Sequence, residues 1–111
     1  MPTQLPVHRD DGELVGFVAG TGGSWTPLTV FGHPVGPATD REDAENLLRS
    51  HGMSYLIERW LLRHGDEWVR VEIQEAGPDH VTVGFVDYGY PELYGQRRTL
   101  TAPPGDQLQM A

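Results

Sequence analysis

Short segments in which apolar residues recur or alternate with polar ones occur at five places along the chain, a pattern typical of β-strands. The alternation is clearest between residues 68 and 74, where two valines and an isoleucine alternate with charged and polar side chains. A shift of one residue in register would bury Arg70 and Glu72, so the pattern also predicts which face of this strand is buried. The five predicted strands are Glu13–Ala19, Trp25–Phe31, Glu58–His64, Trp68–Gln74 and Val81–Val86.

Glycine-containing turns predict that these strands pair as hairpins. A five-residue loop, Gly20–Ser24, joins the first two strands. Pro27 lacks the N–H that a central strand donates, which places its part of the second strand at a sheet edge or a bulge. Gly65 and Asp66 fit a two-residue type II′ turn, because that turn has glycine in its first position.

These turns also predict the register of the last three strands. With turns at residues 65–66 and 75–79, the apolar side chains of all three strands fall on one face of the sheet. The expected cross-strand pairs are Trp60–Val71, Leu62–Val69, Ile73–Val81, Val71–Val83 and Val69–Phe85. Together they would form a continuous apolar face that a helix could cover.

One amphipathic helix is predicted after the second strand. Residues 39–42 fit a capping box, in which the Thr39 oxygen accepts a hydrogen bond from a free N–H and Glu42 reaches back. Gly52 is expected to end the helix in the left-handed conformation. The residues that recur at the spacing of one helix face are Ala44, Leu47, Leu48 and His51.

The segment between residues 53 and 64 fits two structures. Some of its apolar residues recur at helical spacing, whereas Trp60, Leu62 and His64 alternate as in a strand. The hairpin turn that follows favours a short helical turn over Met53–Ile57 and then the strand Glu58–His64.

The element order β-β-α-β-β-β predicts an α+β fold, with an antiparallel sheet of about five strands and one main helix packed on one face. The chain length suits one domain, which we expect over residues 13–101. Residues 1–12 and 102–111 contain proline, glycine and polar side chains. We expect them to form a flexible N-terminal arm and a flexible C-terminal tail.

The charged residues restrict the classes of function. The 111 residues include 16 carboxylates and 8 basic side chains, all of them arginine, for a formal net charge of −8. Without lysine there is no P-loop lysine and no Schiff base, and without cysteine there is no disulfide or thiolate chemistry. The arginines are scattered among twice as many carboxylates, so we expect no nucleic-acid partner.

The distribution of apolar residues predicts where the protein is found. No apolar run is long enough for the core of a signal peptide or for a membrane span, so we expect a cytoplasmic protein with no membrane partner. The use of arginine in place of lysine suggests a bacterial genome rich in G and C.

Residues that could carry catalysis or hold a cofactor do not form a known motif. The five histidines lie at least 13 positions apart, whereas helical zinc motifs place two histidines four apart. None of the serines lies in a nucleophile elbow, and the loop Gly20–Ser24 precedes a strand rather than the helix of a phosphate-binding loop. The sequence therefore predicts no catalytic residue, no cofactor and no metal site.

The segment from Asp87 to Arg98 differs from the rest of the chain, since it contains three of the four tyrosines. Tyrosine and arginine are enriched at binding hot spots because they bury a large area and keep a polar group. Trp68 is predicted on the outward face of its hairpin, opposite Arg63, on which it could stack. The candidate interaction surface comprises Arg63, Trp68, Arg70, Tyr88, Tyr90 and Tyr94.

The leading hypothesis is a non-enzymatic protein-interaction or oligomerisation module, whose partner is another protein or a second copy of the chain. Under the alternative, the tyrosines pack back on the sheet and close its far side. Glu72, beside Arg70 on the exposed strand face, is expected to form a solvated ion pair with it.

Two other functions stay open at this point. A small-ligand-binding or enzymatic domain would have a pocket between helix and sheet, lined by Trp25, His33, Glu58 and Trp60. An acidic inhibitor of a basic protein would bind more weakly as the salt concentration rises. Its expected contacts are Asp40, Glu42, Asp43 and Glu45.

Overall fold

The computed structural model describes residues 3–111 and divides into two compact units between Tyr55 and Leu56. It is an α+β structure with antiparallel strands and one main helix, as predicted. The strands form two sheets rather than one, and the single domain expected over residues 13–101 stays a prediction. No helix within residues 3–111 combines the length and the apolar character needed to cross a membrane.

The first unit is a three-stranded sheet on which the helix packs. Its elements are β1 (Thr3–His8), β2 (Leu14–Thr21), β3 (Ser24–Leu28) and α1 (Arg41–His51). The strands are antiparallel in the order β1-β2-β3, and α1 contacts all three. The buried side chains of this unit's core are Val7, Val15, Val18, Trp25, Ala44 and Leu48.

Strand β1 occupies half of the segment, residues 1–12, that was expected to be a flexible arm. Val7 is buried and lies opposite Gly16 of β2, so this segment is held by core packing as well as by the ladder. Pro6 is tolerated because β1 is an edge strand, where a missing N–H costs no ladder bond. Residues 9–12 of the predicted arm form the turn that leads into β2, in which the N–H of Gly12 donates to the oxygen of Arg9 at 2.8 Å. Met1 and Pro2 lie outside the described residues.

The hairpin of β2 and β3 is tighter than the predicted five-residue loop. Thr21 pairs with Ser24, which leaves Gly22 and Gly23 as a two-residue turn. Pro27 lies in β3, and β3 is an edge strand, as its missing N–H requires. The ladder ends at Leu28, so the predicted strand is three residues too long at its C-terminal end.

The helix begins one residue later than predicted. Asp40 is the N-cap, and its Oδ1 accepts a hydrogen bond from the N–H of Asp43 at 2.8 Å. Thr39 is engaged elsewhere, because its backbone N–H and C=O pair with Trp25 at 2.8 and 2.7 Å. In the predicted apolar stripe, Ala44 and Leu48 are buried, Leu47 is half-buried and His51 is exposed.

Gly52 follows the last turn of the helix as predicted, but it does not adopt the predicted left-handed conformation. Its φ of −54° and ψ of −41° are right-handed, not left-handed. A Cβ at this position would lie 2.5 Å from the backbone oxygen of Val15 on β2. Glycine is therefore required by the close approach of helix and sheet, not by its freedom to adopt positive φ.

The second unit is a five-stranded antiparallel sheet. A 3₁₀ helix covers Ser54–Ile57, close to the predicted helical turn. The strands are β4 (Trp60–His64), β5 (Glu67–Ala76), β6 (His80–Phe85), β7 (Arg97–Thr101) and β8 (Leu108–Met110), in the spatial order β7-β6-β5-β4-β8. Its buried apolar side chains are Trp60, Leu62, Val69, Val71, Val81, Val83, Phe85, Leu100 and Leu108.

The predicted register of β4 and β5 is confirmed. Trp60 lies opposite Val71, and Leu62 lies opposite Val69. The turn between them has a φ of +63° at Gly65, and no residue other than glycine has a positive φ in the described chain. The φ of the next residue, Asp66, is therefore negative, as a type II′ turn requires.

The predicted register of β5 and β6 is wrong by two residues. Ile73 pairs with Val83 rather than Val81, and Val71 pairs with Phe85. The ladder is irregular between Ile73 and Glu75, which lets β5 continue to Ala76 and shortens the turn. Because a shift of two preserves the facing of every side chain, the same valines are still buried.

The predicted C-terminal tail contains a strand. Leu108 of β8 is buried and pairs with Leu62, and Met110 pairs with Trp60. The tail therefore belongs to the sheet over residues 108–110, since Leu108 completes the apolar core of the second unit.

Replacing Asp40 with alanine removes the N-cap acceptor and should lower the free energy of unfolding by about 1 kcal/mol. Asp40→Asn keeps an acceptor and should cost less. Thr39→Ala is the matched control, because Thr39 acts here through its backbone. Urea denaturation followed by circular dichroism measures all three, and a larger loss for Thr39→Ala than for Asp40→Ala would contradict the observed cap.

Candidate functional site

The site is the outer face of the five-stranded sheet, the face opposite its apolar core. Trp68, Arg70 and Glu72 alternate on β5 with the buried Val69 and Val71, so all three point outward. Trp68 is 37% exposed, which is unusual for so large an apolar side chain.

Arg63 on β4 lies directly opposite Trp68, as the predicted register requires. Its Nε donates a hydrogen bond to the backbone oxygen of Gly65 at 3.4 Å, so the guanidinium is held towards the turn. The arginines that lie over aromatic rings in residues 3–111 are instead Arg98, over Phe85 at 5.2 Å, and Arg41 in the first unit.

The tyrosine loop, residues 86–96, connects β6 to β7 and is anchored by Asp87. Asp87 Oδ2 accepts from the backbone N–H of Arg70 at 3.1 Å, and Oδ1 accepts from the N–H of Gly89 at 2.9 Å. These two hydrogen bonds, together with the Arg70 guanidinium at 3.8 Å, lower the pKa of Asp87. Arg70 therefore pairs with Asp87 rather than with Glu72.

Backbone hydrogen bonds close the rest of the loop. The N–H groups of Leu93 and Tyr94 both donate to the oxygen of Tyr90, at 3.0 and 3.1 Å. Gly95, with a φ of +85°, then donates to the oxygen of Phe85 at 3.0 Å and returns the chain to the sheet. The loop is thus a set of consecutive turns rather than an open segment.

Tyr90 packs back towards the sheet. It is half-buried, and its hydroxyl donates a hydrogen bond to the carboxylate of Glu67 at the start of β5. That hydrogen bond, with burial and the charge of Glu67, raises the pKa of Tyr90 to about 12. Tyr90 was predicted to lie on the interaction surface, but its side chain instead holds the tyrosine loop against β5.

Tyr88 and Tyr94 face solvent as a stacked pair. Their ring centroids are 5.2 Å apart with an interplanar angle of 16°, and the side chains are 78% and 47% exposed. A hydrogen bond to Tyr88 raises the pKa of Tyr94, and the nearby charge of Glu72 adds to the effect. Glu72, whose charge acts on Tyr94, projects from the outer face.

We call these residues together the aromatic surface: Arg63, Trp68, Arg70, Glu72, Tyr88 and Tyr94. Sequence reasoning identified five of them. It did not assign Glu72 to this surface, and it did not single out Asp87 as the anchor of the tyrosine loop. The signal for Asp87 is weak in a sequence, because Asp-Tyr-Gly fits many turns.

Two of the four residues of the alternative pocket belong to the first unit and two belong to the second. Trp25, in the first unit, is buried, and its Nε1 donates to the oxygen of Gly22 at 2.9 Å. His33, also in the first unit, has its Nδ1 2.7 Å from the oxygen of Pro34. In the second unit Trp60 is buried and Glu58 is exposed. The pocket stays a prediction.

The acidic residues proposed as an inhibitor surface differ in their roles. Asp40 caps the helix. Glu45 bonds to Arg41 at 2.7 Å and to Arg49 at 3.1 Å, and these contacts lower its pKa. Both carboxylates therefore already have partners within the first unit.

A surface cavity of about 340 Å³ lies in the first unit, lined by Arg9, Asp10, Asp11 and Arg49. The arginines are already paired, Arg9 with Asp11 and Arg49 with Glu45. The sequence analysis did not predict a site at these residues. Within residues 3–111 no histidine and carboxylate side chains cluster in threes or more as a metal ion would need.

We compared the chain with protein-family models, with curated proteins and with solved structures, and none of the three comparisons gave a match. The assignment of a function therefore depends on the geometry of the aromatic surface.

Asp87→Ala should loosen the tyrosine loop, because the N–H groups of Arg70 and Gly89 lose their acceptor. Their amide hydrogens should exchange faster with solvent than in the unmodified chain, as measured by NMR. Glu92→Ala, in the same loop, is the matched control. Equal exchange rates in the two variants would contradict the anchoring role of Asp87.

The same anchor predicts a pH dependence. Because folding lowers the pKa of Asp87, its contribution is complete above the unfolded value of about 3.9 and is lost as the pH falls through the lower folded value. The amide shifts of Arg70 and Gly89 should therefore change together in that acidic range.

Proposed function

We propose that this chain is a non-enzymatic protein-interaction module that binds through its aromatic surface. One observation carries the proposal. Of the four large apolar side chains that are exposed within residues 3–111, three lie on this surface: Trp68, Tyr88 and Tyr94. Clustered exposed aromatic side chains are typical of protein contact sites.

The energetics support this role. An aromatic side chain buries about 150–250 Å² when it is covered, which makes it a large contribution to an interface. Trp68 is flanked by Arg63 and Arg70, and tryptophan, tyrosine and arginine are the residues most enriched at hot spots.

The tyrosine loop is organised before any partner arrives. Asp87 and the Tyr90–Glu67 contact hold it to β5, and Tyr88 stacks on Tyr94. A partner would therefore meet side chains that have already lost much of their freedom, which reduces the entropy cost of binding.

The test is affinity capture of the tagged chain from its host lysate at low and high salt, with bound proteins, untagged copies of this chain included, measured by mass spectrometry. Trp68→Ala and the double variant Tyr88→Ala, Tyr94→Ala should lose the bound protein at both salt concentrations. Ile57→Ala is the matched control, since Ile57 is 86% exposed and lies outside the aromatic surface.

A bound protein that the control retains and both surface variants lose supports the proposal. A partner retained by every variant and released by salt would overturn it in favour of the acidic-inhibitor function. The absence of any Trp68-dependent association would overturn it as well.

A further inference from the structure

We infer that the partner of the aromatic surface is a second copy of this chain, packed face to face so that Arg63 of each copy meets Glu72 of the other. This inference rests on the proposed function. It names the occupant of the same surface.

Two charged side chains on that face form no ion pair within the described residues of one copy. The ion pairs within residues 3–111 include Arg70 with Asp87 and Arg97 with Glu75, but none of them includes Arg63 or Glu72. The contacts of these two side chains are with neutral groups: Arg63 donates to a backbone oxygen, and Glu72 accepts from Gln74 at 3.4 Å.

Gln74 also explains why Glu72 does not pair across the sheet. Glu72 and Arg97 both lie opposite Gly84, one on each side of it. A Cβ at Gly84 would collide with the Gln74 side chain, so that side chain covers the glycine and occupies the space between the two charges. Glu72 is thereby left facing outward.

The positions of Arg63 and Glu72 suit a two-fold pairing of the face with itself. Trp68 and Glu72 are separated along β5 by about 13 Å, since a strand rises about 3.3 Å per residue. Arg63 lies beside Trp68 on the adjacent strand. A two-fold axis that lies between the two packed faces and crosses β5 at a right angle over Arg70 exchanges the two ends of β5. Each Arg63 then comes to lie near Glu72 of the other copy. The sideways offset of one strand, about 4.8 Å, is within the reach of an arginine side chain.

The centre of this arrangement carries no net charge. Arg70 would face its symmetry mate across the axis, but each Arg70 has Asp87 beside it at 3.8 Å. The same axis keeps the two tyrosine loops on one side of β5, and each loop stays anchored at the Glu67 end of its own copy. A two-fold interface must be complementary to itself, and this face is.

A partner with a surface of one charge sign fits less well. It would oppose a like charge at either Arg63 or Glu72, and like charges brought together in an interface disfavour binding. A second copy satisfies both at once.

The size of the face predicts a weak dimer. Five strands spaced about 4.8 Å apart and five residues long cover about 400 Å². Two copies then bury about 800 Å² before the tyrosine loops are added, below the about 1,200 Å² of the smallest stable interfaces. We therefore expect association that depends on concentration in the micromolar to millimolar range.

The test is sedimentation velocity on the full chain over that range of concentration. The unmodified chain should dimerise, and Arg63→Glu or Glu72→Arg alone should raise the dissociation constant by about tenfold or more, because each opposes like charges. An equimolar mixture of the two variants should dimerise again, since both contacts then join opposite charges. Asp10→Arg is the control, because it makes the same charge change as Glu72→Arg on the first unit.

Circular dichroism of each variant checks that it is folded, and the Trp68 indole NMR signal of the unmodified chain should shift on dilution. Recovery of the dimer in the Arg63→Glu and Glu72→Arg mixture supports the inference when Asp10→Arg by itself dimerises as the unmodified chain does and does not draw Arg63→Glu into a dimer. A chain that is monomeric at every concentration, or a dimer insensitive to both reversals, overturns it. Trp68-dependent capture of a different protein would then leave the proposed function standing, whereas failure of both experiments removes both.

Discussion

The strict alternation of side chains along β5 is the constraint on which the candidate site depends. Because successive residues of a strand point to opposite faces, the valines that hold the second unit's core necessarily place Trp68, Arg70 and Glu72 on the outside. The burial of Val69 and Val71 thus determines the composition of the exposed face. A shift of one residue would exchange the two sets and would bury charged side chains without partners, at a large cost in free energy.

The second element is the attachment of the tyrosine loop to that strand. The ladder of β5 and β6 ends at Asp87. There the backbone N–H of Arg70 donates to the carboxylate of Asp87 instead of to a backbone carbonyl of β6. A carboxylate that accepts two backbone N–H groups is strongly favoured in its charged form, which is why the pKa of Asp87 is lowered. One side chain thereby positions both the loop and the neighbouring guanidinium.

Close packing of backbone determines where side chains are missing. At Gly52 the helix approaches β2 too closely for a Cβ, and at Gly84 the space above the strand is taken by Gln74. The first case joins α1 to its sheet. In the second case Gln74 lies between Glu72 and Arg97, so Glu72 forms no ion pair across the described sheet.

The sequence by itself determined the features that depend on neighbours along the chain: the alternation of β5, the type II′ turn at Gly65, and the register of β4 with β5 that this turn imposes. The helix was also predicted, but not its cap, because Thr39 and Asp40 both suit an N-cap and the pairing of the Thr39 backbone with Trp25 selects Asp40. Only the tertiary structure decided that the termini supply β1 and β8, that the strands divide into two sheets, and that β5 shifts its pairing with β6 by two residues. These features join residues far apart in sequence, and local patterns do not report the packing that selects among such pairings. The same holds for the aromatic surface: composition marked its tyrosines, but the hydrogen bonds of Asp87 and Glu67 decided which of them face solvent.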